Sequence, residues 1–95
     1  MMTFEWDRKK AAANVLKHRV SFIEAQTSFL DLNARYIADP EHSEDEDRFV
    51  LLGMSIKLRV LVVPHVYREE AETIRIISAR KAKKNEIEEY EGFKS

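Results

Sequence analysis

Thr73-Ile74-Arg75-Ile76-Ile77-Ser78-Ala79-Arg80-Lys81-Ala82 is the stretch around which the chain is organised. Its first half reads as a buried strand, with β-branched residues and one charge threaded among them. The pattern then turns helical, which predicts a last helix over 79–91 with Gly92 as its stop. An arginine inside an apolar strand is costly unless its head reaches water, a carboxylate or a phosphate. Arg75 and Arg80, on a strand and at a helix start, could therefore grip one anion together. That points toward phosphate handling.

Two strong strands precede this stretch, over 48–56 and 59–67, joined tightly around Lys57-Leu58. With 73–78 they form three closely spaced strands, which predicts an antiparallel meander. If Ile56 faces Arg59 and Tyr67 faces Thr73, one sheet face carries Arg48, Arg59, His65, Tyr67 and Arg75. The other face, with Phe49, Leu51, Val60, Val62, Ile74 and Ile76, then takes the helices. A one-residue slip in either hairpin would break the set. Pro64 lacks a ladder donor and marks a bulge or an outward-facing edge position.

Upstream, 2–6 reads as a first strand, and Asp7 caps a helix over 8–17 with Ala12, Val15 and Leu16 on one face. Ser21-Phe22-Ile23-Glu24 is a capping box: Ser21 accepts from the Glu24 amide while Glu24 reaches back. It opens a second helix that runs to Leu30, with Phe22, Ala25 and Phe29 inward. A short strand over 35–38 and an acidic loop over 39–47 complete the order β-α-α-β-β-β-β-α. The expectation is a single α+β domain over 1–95, with two N-terminal helices and a C-terminal helix on a mainly antiparallel sheet of four to five strands, the helices packed on one face.

Hydrophobic residues make up 44% and charged residues 35%, which excludes a disordered chain. No apolar run approaches the ~20 residues of a membrane span, and the first residues lack a signal peptide's basic and apolar regions. There is no cysteine, so neither disulfides nor thiolate zinc sites are available. These features fit the cytoplasm. The net charge of −1 arises by cancellation, because 39–47 holds six acids and 75–84 holds five bases. A local basic surface can still attract phosphate.

No two histidines have metal-ligand spacing, the acidic loop lacks an EF-hand's glycine, and no glycine-rich phosphate loop occurs. An arginine-rich sheet surface remains. Metal-free RNA cleavage needs little more: a base for the 2′-hydroxyl, arginines for the charged phosphorane, and an acid for the leaving oxygen. Each candidate also has an ordinary role. Arg48 and Arg59 can be solvated or paired to carboxylates, His65 can be a satisfied buried histidine, Tyr67 can be packing, and the bases over 81–84 can be a solvated helix face.

Several segments, read with their spacing, resemble the BrnT toxin family of type II toxin–antitoxin systems. They are Glu5-Trp6-Asp7 with Lys10 and Asn14, Lys17-His18, Val20-Ser21-Phe22 with Ala25, Phe29 and Asp31, and His42-Ser43 with Glu46 and Arg48. Gly53, Ser55, Arg59, Leu61 and Val63 continue the pattern, and 75–80 with Ala82, Glu86 and Tyr90 closes it. The resemblance implies a RelE-like fold and a ribonuclease that inhibits translation, its RNA free or on the ribosome; cleavage without metal is the expectation from the residues above. The resemblance also implies a hetero-oligomer with a BrnA-type ribbon-helix-helix antitoxin that neutralises the chain. Carried over by position, it points to Arg59 and Arg75 as catalytic arginines; Glu46 and His65 are the candidate proton carriers beside them. Arg48, Tyr67, Arg80 and Lys81 are the RNA-binding candidates. The alternative is a non-catalytic homologue acting as antitoxin partner and corepressor. Three positions depart from the family pattern: Arg19 and Leu58 stand where glycine is usual, and Leu32 where proline is. The first two bear on turn geometry, where positive φ would strain a side chain.

Overall fold

A computed structural model describes residues 2–39 and 47–92. After the short strand β1 (Thr3–Glu5), Asp7 caps α1 (Arg8–His18) by accepting from the Lys9 and Lys10 amides at 2.8 and 3.0 Å. The expected inward face of α1 is corrected: Val15 and Leu16 are exposed, and Ala11 and Asn14 turn to the core. Counting apolar residues favoured the wrong side because a polar anchor sets the helix rotation. Buried Asn14 donates to the carbonyls of Val20 at 2.9 Å and Ala79 at 2.8 Å.

Ser21 opens α2 (Phe22–Thr27), accepting from the Glu24 amide at 3.0 Å as a capping residue should. The second half of the expected capping box is replaced, because the Glu24 carboxylate points instead to the β-sheet. A 3₁₀ turn (Ser28–Leu30) then carries the chain across the sheet. Gly53 permits that crossing: a Cβ there would lie 2.9 Å from the Ser28 carbonyl oxygen.

The sheet contains β2 (Arg35–Ala38), β3 (Arg48–Met54), β4 (Val60–Arg68) and β5 (Thr73–Ile76), in the order β1-β5-β4-β3-β2. The meander β3-β4-β5 is antiparallel as expected, but β1 runs parallel to β5, so the sheet is mixed. Helices cover both faces rather than one. The α1 and α2 layer buries Val20, Phe22 and Ala25 against Leu51, Leu61, Val63, Ile74 and Ile76. On the opposite face α3 (Lys84–Gly92) sets Tyr90 against Leu52 and Val62.

Both assumed hairpin registers are off by one residue. Ser55, not Ile56, faces Arg59: its N–H donates to the Arg59 carbonyl at 2.8 Å, and the loop has three residues, 56–58, with Leu58 at φ 63°. A three-residue loop ending in a left-handed residue is a common hairpin closure. In the second hairpin Arg68, not Tyr67, faces Thr73. Each slip moves β4 to the other face relative to its neighbour. Val60 and Val62 therefore look toward α3, and Leu61, Val63, His65 and Tyr67 toward α1 and α2.

The helix expected directly after Ser78 is delayed. A two-residue strand, β6 (Arg80–Lys81), first pairs with β4, and α3 starts only at Lys84. Between β5 and β6 the Ile77 and Ser78 amides both donate to the Pro64 carbonyl, at 3.0 and 3.4 Å. Two residues opposing one is a β-bulge, which realises one of the two alternatives read from Pro64. Asn14 holds this bulge from above, accepting from the Ala79 amide and the Ser78 hydroxyl at 3.2 Å each.

Candidate functional site

Arg59 does not converge with Arg75. Arg59 forms a two-pronged ion pair with Glu24, Nε to Oε2 at 3.0 Å and Nη2 to Oε1, and Nη2 also donates to the Arg19 carbonyl at 3.2 Å. Glu24 is buried and takes a third hydrogen bond from the Ser55 hydroxyl at 2.7 Å. Burial alone would raise the Glu24 pKa, but the hydrogen bonds from Arg59 and Ser55 outweigh it and hold the carboxyl below its usual range. This pair clamps the β3-β4 hairpin to α2. Arg75 lies opposite Val66, seven positions along from Arg59, on the other face and about 20 Å away. It pairs with Glu5 of β1 at 2.7 Å.

His65 stands on the α1 and α2 face, away from Arg48 and Arg75. It is 2% exposed and edged by the rings of Phe29, Tyr36 and Phe49. Burial is the main cause that lowers its pKa, against a hydrogen bond with the Val63 carbonyl at 2.9 Å. Tyr67 shares that face, away from the arginines of the opposite one. Lys81 pairs with Leu61 and is exposed, on the side opposite Arg80. Glu46 and His42 lie outside the described residues.

What the fold does assemble is a groove of about 410 Å³ on the α3 face. Its floor is apolar, with Val50, Val62 and Pro64, and its rim carries Asp39, Arg48, Ser78, Arg80 and Glu86. The row Arg48–Val66–Arg75 crosses three neighbouring strands, so Arg75 stands on the same face two strand spacings from Arg48, roughly 10 Å. The bulge aims Arg80 into this groove while Lys81 turns away.

Two features set the electrostatics. The Arg48 Nε is buried and ion-paired to an Asp39 carboxylate oxygen at 3.6 Å, too long for a hydrogen bond, so the N–H has no acceptor. Arg80 presents its fork to Glu86, Nη1 at 2.8 Å and Nη2 at 2.9 Å. Those hydrogen bonds, with one from the Lys83 amide and against the effect of burial, lower the Glu86 pKa to about 2. The Glu86 carboxylate thus holds the place on Arg80 that the oxygens of a phosphate could take. Among the described residues no cluster of three or more His, Asp or Glu could hold a metal ion.

Residues 6–86 match the family model described as the ribonuclease toxin BrnT of type II toxin–antitoxin systems. The chain belongs to the BrnT family. The fold agrees: the crystal structure of the Brucella abortus ribonuclease toxin BrnT superposes with a TM-score of 0.68 at 23% identity, over 88% of this chain and 100% of that one. No curated protein matches the chain. Within the BrnT frame, the two glycine departures acquire a physical meaning, because Arg19 and Leu58 both take positive φ, 60° and 63°.

Sequence reasoning missed Glu24, Ser78 and Asp39. Glu24 was hidden by its capping-box position, since the motif explains the residue locally and removes the reason to look for a distant partner. Ser78 and Asp39 become visible only with the bulge and the β2-β3 pairing.

Proposed function

We propose that this BrnT-family chain cleaves RNA at the Arg48–Arg80 groove. The single observation behind this reading is that Arg48, whose buried Nε is ion-paired to Asp39 at 3.6 Å but has no hydrogen-bond acceptor, lines the same groove as Arg80. A buried donor left without an acceptor costs about 1–3 kcal/mol, which a phosphate oxygen would offset. In the reaction, a base removes the 2′-hydroxyl proton, O2′ attacks phosphorus, and the P–O5′ bond breaks as an acid protonates the leaving oxygen. Arg48 and Arg80 stabilise the added phosphorane charge, and Arg75 extends the positive field along the same face. Glu46, two residues before Arg48 in sequence, is the candidate base. Arg59 is reassigned from chemistry to anchoring the hairpin.

The reading carries the family's wider expectations as proposals: metal-free cleavage, inhibition of translation, a cytoplasmic setting, and a hetero-oligomer with a BrnA-type ribbon-helix-helix antitoxin on a RelE-like domain. Arg48→Ala and Arg80→Ala are expected to lower RNA cleavage by 100-fold or more in the presence of EDTA, without changing thermal stability by more than a few degrees. Cleavage that persists in the double variant would reject the groove as the site. A catalytically weak antitoxin partner is the second reading, favoured by Glu86 already occupying Arg80. Glu86→Gln separates the two, since it raises cleavage if the groove is active and leaves none to raise if the chain is inert.

A further inference from the structure

The sheet end that carries Arg48 has a second cavity on its opposite face. It measures about 290 Å³ and is lined by Tyr36, Phe49, His65, Tyr67, Ile74 and Met2, almost wholly apolar atoms. This is the small end of the ~300–1,000 Å³ range of ligand pockets, so it suits one ring system rather than an extended ligand. We propose that it is a nucleobase pocket, in which one base of the bound RNA inserts among Tyr36, Phe49 and Tyr67 and meets the imidazole of His65. The inference rests on the reading of the chain as an RNA-cleaving protein and adds to it a source of sequence preference.

Three observations carry it. Four of the six lining residues present flat π-faces, and His65 already holds edge-on or tilted ring contacts with Tyr36 and Phe49 at centroid distances of 6.0 and 6.2 Å. Stacking on aromatic rings is how proteins bind unpaired bases without a groove-reading helix. His65 Nδ1 lies on the Val63 carbonyl, which can only accept, so Nδ1 carries the proton and Nε2 is the acceptor of the neutral ring. A base supplies N–H donors that a purely apolar guest would lack.

The third observation is continuity. Adjacent residues of β3, Arg48 and Phe49, point to the groove and the cavity respectively, and on β2 Ile37 and Tyr36 do the same. β2 ends the sheet on that side among the described residues, and Tyr36 is 52% exposed. A single strand crossing this edge would leave its phosphate with Arg48 and deliver a neighbouring base to Tyr36.

Free nucleosides test the pocket without the phosphate groove. Adenosine, guanosine, cytidine and uridine at millimolar concentration are added to the full chain, followed by saturation-transfer NMR and by the His65 ring nitrogen signals. At least one nucleoside is expected to show stronger saturation at base than ribose protons and to shift the His65 Nε2 resonance. Tyr36→Ala, at a half-exposed position of the edge strand, should weaken this binding about 10-fold, and Arg48→Ala should leave it unchanged. Unmoved His65 signals with all four nucleosides, or binding that survives Tyr36→Ala combined with Tyr67→Ala, would overturn the pocket. Loss of RNA cleavage in Arg48→Ala with nucleoside binding absent in the parent chain rejects the pocket alone. The reverse pattern rejects the groove alone.

Discussion

Leu58 shows how one side chain can work against its own turn. A left-handed backbone costs an L-residue about 1–2 kcal/mol, and glycine avoids this while losing about 0.5–1 kcal/mol to unfolded-state entropy. Leu58→Gly is therefore expected to stabilise the chain by about 0.5–1 kcal/mol, read as a higher urea midpoint at constant slope; a lower midpoint would mean the leucine makes a contact that outweighs its strain. Glu24 is the opposite case, a residue whose neighbours fully satisfy it. Glu24→Gln keeps the shape but leaves Arg59 half-paired against a buried neutral amide, and should cost about 3 kcal/mol in urea unfolding. A loss below 1 kcal/mol would show that Arg59 swings to solvent freely and is available for chemistry after all.

Among the elements, the β5–β6 bulge decides more than its two residues suggest. It shifts the pairing with β4 by one, and so sends Arg80 to the groove together with Arg48 instead of to the face of Leu61. Asn14 on α1 meets it with three hydrogen bonds, one of them from the groove residue Ser78, and donates a fourth to the Val20 carbonyl. Removing that amide strands the buried Ala79 N–H and C=O. Asn14→Ala is expected to cost about 3 kcal/mol and to speed hydrogen exchange at Ala79 before the strand centres open. Exchange at Ala79 tracking global unfolding in both proteins would argue that β-pairing alone holds the bulge. The C-terminal helix is tied more lightly, through Tyr90 and its hydroxyl bond to Asp31 at 2.5 Å and through the Glu86–Arg80 and Glu89–Arg35 pairs. Tyr90 is its one buried residue among those described.

At the scale of the molecule, acid should loosen the two clamps together. Glu24 and Glu86 both have folded pKa values below 4.5, Glu86 at about 2. A depressed carboxylate adds stability that is complete above its unfolded pKa and lost as pH falls through the folded one. Stability is thus expected to fall between about pH 4.5 and pH 2, with Glu86→Gln flattening the lower part of that drop in pH-dependent urea titrations; an unchanged profile would mean other groups carry it. The order of elements up to β5 was legible along the chain because strand alternation and the Asp7 and Ser21 caps are local signals; β6 was not, since it exists only by pairing with β4. Family membership was legible too, since it rests on spacing. Which face each residue took was not. Arg48 and Arg75 were rightly placed together, yet Arg59, His65 and Tyr67 went to the other side, because β4 pairs one residue out of the assumed step on both flanks. A side-chain period of two makes sidedness depend on a single residue of loop length, and the two hairpin loops, with left-handed residues at Leu58 and Glu72, take their lengths only in the packed molecule.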